Sequence, residues 1–315
     1  MKIITTEQVQ SSLNFAELIP LLKQSFAKPF YMPQRQVHEL APEDSTNHDA
    51  LAVLPAWNEE VIGNKVFTYF PENAALHKIP GLYSKIMLFR RETGEPLALV
   101  DGTSVTYWRT AAISALASQL LSRENSQHLM LFGTGNLAAY LLHAHISVRK
   151  LTKITIWGRS ASKVQKLINE FSDLYPNISF YTSLEVDQEI PHVDIICCAT
   201  GAKTPLFNGE LVAQGCHVDC LGNHRVDARE CDSNTVIKAR VFVDSLTNTL
   251  NEAGELLMPI EEGVFNANAI VGELADMCKQ PEILRQSEEE ITLFKSVGTA
   301  VSDLVSAYLV YQKVS

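Results

Sequence analysis

His128-Leu129-Met130-Leu131-Phe132 runs straight into Gly133-Thr134-Gly135-Asn136-Leu137-Ala138, an apolar stretch emptying into a Gly-x-Gly turn with a small residue at the third motif position. A helical pattern leaves the turn through Leu137, Tyr140, Leu141 and His145. Strand, glycine turn and helix in this order form a dinucleotide fingerprint. The first Gly permits the tight turn, the second lets backbone approach a pyrophosphate, and the small third residue lets the helix pack on the strand. The phosphates then meet the free N–H groups of the helix N-terminus. A second apolar run, Lys153-Ile154-Thr155-Ile156-Trp157, follows at the spacing of a βαβ unit. Gly133, Gly135, Asn136, Leu137 and Ala138 are therefore expected to bind a dinucleotide on a Rossmann-like, doubly wound parallel sheet.

The end of that second strand bears on which nucleotide. An NAD site usually offers Asp or Glu there, to accept from the ribose 2′-hydroxyl. This chain has Gly158-Arg159-Ser160, with Lys163 one turn further on. A guanidinium and a hydroxyl suit a 2′-phosphate, and no carboxylate stands there to repel it. NADPH is the expected cofactor, with NADH as the weaker ligand, held by Arg159, Ser160 and Lys163.

Outward from this stretch, composition sets the bounds. A chain of 315 residues suggests about two domains. Apolar content of 46% and charged content of 20% describe an ordinary globular protein. The net charge of −10 argues against nucleic acid and anionic membranes as partners, so single Lys and Arg residues become informative for anionic ligands. No apolar run approaches the ~20 residues of a membrane span, and the N-terminus lacks the pattern of a signal peptide. Six Cys, two of them adjacent in an apolar strand pattern, suggest a reduced cytoplasmic protein. Cys216, His217, Cys220, His224 and Cys231 lack a Cys-x-x-Cys pair, and neighbours on a strand face opposite ways, so no metal site is expected.

Thr5-Thr6-Glu7-Gln8 resembles a capping box, and Asn14 caps a second helix with apolar face Phe15, Leu18, Ile19, Leu22 and Phe26. From Tyr31 to about Leu99 the pattern is strand-like, ending in a hairpin through Arg90-Arg91-Glu92-Thr93-Gly94. Thr106 to Leu121 reads as an Ala-rich helix. Strands are then expected near 128–132, 153–157, 178–181, 193–199, 216–221 and 241–245, alternating with helices. Beyond Glu288, Ile291, Phe294, Val301, Leu304, Val305 and Tyr308 fall at helical spacing. The expected division is an α+β domain over 1–121, the nucleotide domain over 122–287, and a closing helix over 288–315 that returns to the first domain.

Outside the nucleotide domain three cations stand among apolar neighbours: Arg35 after Pro33, Lys65 at the head of Val66-Phe67-Thr68-Tyr69, and Arg109 within Tyr107-Trp108-Arg109-Thr110-Ala111-Ala112. A charge so placed is either paired internally or waiting for an anion. The blocks around Lys65 (Gly63-Asn64-Lys65-Val66) and Arg109 (Arg109-Thr110-Ala111-Ala112), with Gly133-Thr134-Gly135, Val243-Asp244-Ser245 and Phe294-Lys295-Ser296-Val297-Gly298, resemble the ornithine cyclodeaminase/μ-crystallin family in order and over almost the whole chain. The resemblance implies a two-domain subunit whose first domain binds substrate and dimerises, giving a homodimer with its active site in an interdomain cleft. It also implies that Arg35, Lys65 and Arg109 hold the carboxylate of an amino or imino acid.

Departures from the family pattern narrow the chemistry. Cyclodeaminases and related amino-acid dehydrogenases carry an Asp where, counting back from Glu230, this chain has His224. Ala52-Val53-Leu54-Pro55 likewise lacks the acidic residue that cyclodeaminases tend to have. Both differences remove carboxylates suited to a free amine. Asn223-His224 resembles instead the ketimine reductases of the family. The expectation is NAD(P)H-dependent reduction of a small cyclic imino acid, Δ1-pyrroline-2-carboxylate to L-proline and also Δ1-piperideine-2-carboxylate to L-pipecolate. His224 would be the catalytic proton donor, and Thr110 and Thr200 further cofactor contacts. The alternatives are an ornithine cyclodeaminase or amino-acid dehydrogenase, and a μ-crystallin-like protein that binds NADPH and a small ligand.

Overall fold

The computed structural model describes residues 1–40 and 48–314. The chain divides into two compact units, one of Met1–Thr110 and Thr299–Ser315, the other of Ala111–Gly298. The first holds a six-stranded sheet of β1 (Lys2–Ile4), β2 (Gln36–Glu39), β3 (Ala50–Trp57), β4 (Val61–Tyr69), β5 (Leu82–Arg90) and β6 (Pro96–Asp101), in the order β1-β6-β5-β4-β3-β2. The β1–β6 pair is parallel and the others antiparallel. Strict alternation along β3 buries Ala50, Ala52, Leu54 and Ala56 and leaves Leu51, Val53, Pro55 and Trp57 half-covered on the other face.

Helices pack on the buried face. The capping box at Thr5 opens Thr6–Ser12, where the Thr5 hydroxyl accepts from the Gln8 N–H. Asn14 caps Phe15–Ala27, which buries the five apolar residues its spacing predicts; Pro20 lies inside without ending it. The C-terminal helix Ala300–Val314 contacts β3 to β6 and both N-terminal helices, and only its last turn is uncovered.

The second unit is a wholly parallel sheet. Its strands are β7 (His128–Phe132), β8 (Lys153–Trp157), β9 (Ser179–Thr182), β10 (Ile195–Cys198), β11 (His217–Cys220), β12 (Ala239–Val243), β13 (Ile270–Glu273) and β14 (Ile291–Lys295). Their order is β13-β12-β14-β11-β10-β7-β8-β9. The order reverses between β7 and β10, so the crevice at their carboxyl ends is the switch point where such sheets bind ligands. No helix among the described residues is long and apolar enough to cross a membrane. All six cysteines are free thiols.

Two expectations change. The sheet has eight strands where six were expected, and one addition falls inside the expected closing helix. Ile291 to Lys295 is a strand between β11 and β12, buried at all five positions. A strand covered on both faces shows no alternation, so an apolar run of this kind is easily joined to a following helix. The borders accordingly fall at 110/111 and 298/299 and not at 121/122 and 287/288. The chain passes between units inside the helix Gly102–Leu121, whose continuous apolar pattern gives no sign of the division.

Candidate active site

In the second unit the turn after β7 has the features a dinucleotide needs. Gly133 has φ of +123°, and a Cβ there would lie 2.5 Å from the Ala199 carbonyl oxygen, so only glycine lets the turn close against the segment after β10. At Gly135 nothing lies within 4 Å of a would-be Cβ, which leaves the backbone open to a bulky group. The helix Ala138–Val148 then starts at Leu137 with no side chain capping its first N–H groups. Open backbone beside uncapped N–H groups fits a pyrophosphate.

Beyond β8, Ser160 stands at the N-terminal boundary of Ala161–Leu174 without capping it. Arg159 and Lys163 are exposed, and neither has an ion-pair partner among the described residues. Asn136 is also exposed, whereas Thr110 is half-buried.

Thr200 has a different setting from the other expected cofactor contacts. Its N–H and hydroxyl both donate to Glu230 Oε1, at 2.6 and 2.9 Å, so its donors are committed within the protein. Glu230 Oε2 accepts from the Gly222 N–H at 2.7 Å, and one carboxylate thus ties together the segments leaving β10 and β11. Gly222 must be glycine, because a Cβ there would come within 2.1 Å of Thr200 backbone atoms. Behind Glu230 its own N–H donates to Glu255, whose other oxygen pairs with Lys295 at 2.9 Å. Lys295 also donates to the Asn223 carbonyl at 2.6 Å.

Glu230, Glu255 and Lys295 are completely buried. Burial pushes the Glu230 carboxyl up to about 8. Burial disfavours the Lys295 ammonium, but Glu255 and Glu230 outweigh it and hold its pKa above the usual value. The Asn223 side chain donates to the Ala202 carbonyl. His224, next in the chain, is exposed at the loop so anchored. Sequence reasoning used Glu230 only as a counting mark and missed Glu255 and Lys295. The signal was present in Lys295, a cation ending the apolar run Ile291-Thr292-Leu293-Phe294.

In the first unit the structure brings Lys65 and Arg109 together. Lys65 on β4 is 3% exposed and Arg109 on Gly102–Leu121 is 8% exposed. Both donate to the same oxygen, Oδ1 of Asp303 on the C-terminal helix, at 2.9 Å from Lys65 Nζ and 3.0 Å from Arg109 Nε. Lys65 also donates to Thr106 Oγ1 at 2.6 Å. Arg35 is half-exposed and close enough to act on Lys65. Burial, with Arg109 and Arg35, lowers the Lys65 ammonium to about 8, against the pull of Asp303. Asp303, the partner sequence reasoning missed, is a charge within Ala300-Val301-Ser302-Asp303-Leu304-Val305, the kind of setting that singles out Lys65 and Arg109.

One group among the described residues has metal-ligand spacing: His145, Cys197 and Asp219, with ligand atoms within 4.8 Å of one another. Ser114 sits among them, 2.9 Å from His145 Nε2 and hydrogen-bonded to Asp219. Burial pushes Asp219 up to about 8 and His145 down to about 3. Those are the neutral forms of a hydrogen-bonded core cluster.

The sequence model of the ornithine cyclodeaminase/mu-crystallin family matches residues 1–315. A Delta(1)-pyrroline-2-carboxylate reductase from Colwellia psychrerythraea is 72% identical over 315 residues, all of both chains. The structure of Thermococcus litoralis Delta(1)-pyrroline-2-carboxylate reductase in complex with NADH and L-proline superposes with a TM-score of 0.93 at 31% identity, covering 100% of this chain and 97% of that one. An archaeal alanine dehydrogenase dimer with bound NAD gives 0.91 at 25% identity, covering 100% and 96%.

Proposed function

The chain belongs to the ornithine cyclodeaminase/μ-crystallin family, and from that premise we infer that it is a nicotinamide-dependent oxidoreductase that reduces the C=N bond of Δ1-pyrroline-2-carboxylate to give L-proline. The observation that carries the reading is the pair of buried cations sharing one carboxylate oxygen, Lys65 and Arg109 on Asp303. Two cations against one carboxylate leave a net positive charge in a chain of net charge −10, an arrangement completed by one substrate carboxylate. Arg35, half-exposed and close enough to act on Lys65, adds a third cation. Together they orient the imine through its carboxylate, a positioning effect.

A bound reduced nicotinamide supplies the hydride. The open backbone at Gly135 and the uncapped N–H groups after Leu137 support a pyrophosphate site formed with Gly133, Asn136 and Ala138. Arg159, Ser160 and Lys163 take the 2′-phosphate of NADPH, the preferred cofactor, and NADH binds more weakly. Thr200 serves that site by holding the loop after β10 in place through Glu230. His224, exposed beside the anchored Asn223, delivers a proton to the ring nitrogen as C2 accepts hydride. The six-membered Δ1-piperideine-2-carboxylate is a second substrate. The active form is a homodimer.

The test follows NAD(P)H absorbance with both cyclic imines and assays ammonia release from ornithine. Reduction of the five-membered imine with no ammonia from ornithine is the expected result. His224→Asn keeps a hydrogen-bond donor but cannot exchange a proton, and should slow turnover by ~10²–10⁴-fold. Stoichiometric ammonia and proline from ornithine would establish the cyclodeaminase instead. Tight NADPH binding with no turnover of either imine would establish a binding protein.

A further inference from the structure

Asp303 is 1% exposed on the C-terminal helix, a carboxylate held in the core by two cations. Its Oδ1 accepts from both Lys65 and Arg109, while its Oδ2 has no hydrogen-bond partner among the described residues. We propose that Asp303 is a positioning residue for imine binding: by sharing one oxygen between Lys65 and Arg109 it keeps Lys65 charged and both cations aligned for the substrate carboxylate. The inference deepens the substrate-binding reading of those two residues and rests on it.

Donor geometry comes first. An ammonium has three donors, and Lys65 commits two, to Asp303 Oδ1 and Thr106 Oγ1; Thr106 is itself fixed by donating to the Gly102 carbonyl at 2.7 Å. One donor remains for a ligand. Arg109 commits Nε to Asp303, and its Nη1 and Nη2 have no partner among the described residues. A guanidinium tethered through Nε presents that remaining pair as a fork matched to a carboxylate. Asp303 therefore sets which donors are left over.

Charge comes second. The charged groups acting on Lys65 are Asp303 from the C-terminal helix, Arg109 from Gly102–Leu121, and Arg35 from the segment before β2. Burial, Arg109 and Arg35 all favour the neutral amine, and Asp303 alone among these favours the ammonium. Without it, two cations would face each other in a buried place, and Lys65 would lose its proton near neutral pH. A neutral amine gives a carboxylate no charge-assisted contact.

Asp303→Asn isolates the charge. The amide keeps the Oδ1 acceptor and puts its NH2 at the position of Oδ2, where no partner is lost. The readout is the inhibition constant of pyrrole-2-carboxylate against pH, since its ring nitrogen does not titrate in the working range. In the wild type the inhibitor should weaken as pH rises through about 8, where Lys65 deprotonates. In Asp303→Asn that limb should move down by ~1–3 pH units, with inhibition weakened at least ~3-fold at pH 7.5 and NADPH affinity by fluorescence unchanged. Asp303→Glu, which keeps the charge, should retain the limb near 8 even where its affinity drops.

An Asp303→Asn limb at the wild-type position, or an Asp303→Glu limb displaced as far as that of Asn, would overturn the proposal. If Asp303→Asn does not fold, Asp303→Ser, which likewise removes the charge, is read by the same two outcomes. Lys65→Met and Arg109→Met separate the levels. Weakened inhibition in both, with an unmoved limb in Asp303→Asn, sinks the Asp303 role only. Wild-type inhibition in both sinks the substrate-site reading beneath it.

Discussion

Arg159 and Lys163 are exposed cations in an acidic chain, without an acidic partner among the described residues, at the end of the strand that follows the glycine turn. A charge-assisted hydrogen bond contributes ~1.5–3 kcal/mol, so Arg159→Ala should weaken NADPH roughly tenfold or more and leave NADH nearly unchanged. Fluorescence titration with both cofactors measures this, and equal losses would show that Arg159 does not read the 2′-phosphate. At this scale sequence carries much of the site's chemistry but little of its pairing. Lys65 and Arg109 stand out as charges among apolar neighbours, and the structure places them on one oxygen. That oxygen belongs to Asp303, 194 residues beyond Arg109. Pairing over such a separation follows from the path of the backbone and leaves no local trace. His224 reads as a loop residue and is one, whereas the Glu230 carboxylate that fixes its loop is legible only once β10 and β11 lie side by side.

Elements with a half-exposed face or a cap were the legible ones. The helix Phe15–Ala27 announces itself by Asn14 and by apolar residues at helical spacing, and β5 and β6 by the polar turn between them. β14 has neither signal, because covering both faces erases the period from which a strand is read. Its last residue nevertheless has the most to lose. Lys295 is fully buried between Glu255 and the Asn223 carbonyl, at the carboxyl end of the sheet. Lys295→Met would leave the Glu255 carboxyl buried without its cation, to stay charged or take up a proton at a cost, and should lower unfolding free energy by ~3–5 kcal/mol. In the double variant Lys295→Met/Glu255→Gln the second site carries no charge and still accepts from the Glu230 N–H, and most of the loss should be recovered. Denaturant melts of the two variants check this; a double variant as unstable as the single one would mean that packing, not charge, holds this end of the sheet.

On the scale of the whole molecule, the sheet of the first unit has one face under the helices and one left over. The other face carries half-covered Leu51, Val53, Pro55 and Trp57 from β3, Ile62 from β4 and Met87 and Phe89 from β5, with exposed Val66 and Tyr83, and Asn64, Thr68 and Lys85 set among them. Val66 and Tyr83 are 38% and 48% exposed, while Lys65, next to Val66, points to the buried side by strand alternation. An apolar face of this extent on a chain otherwise rich in acidic groups is a surface for association. In the homodimer proposed for this chain, a second copy would meet it with the same apolar residues, as a two-fold interface requires. Placing carboxylates at the centre of such an interface would bury like charges against each other. Val66→Glu/Tyr83→Glu should therefore sediment at the 35.0 kDa of one chain, whereas the unaltered protein is expected to sediment at twice that mass. Because both residues lie on the face opposite Asp303, thermal unfolding of the variant should remain cooperative, which separates loss of the partner from loss of the fold. A monomeric wild type at micromolar concentration, or a dimeric variant, would rule out this face as the interface.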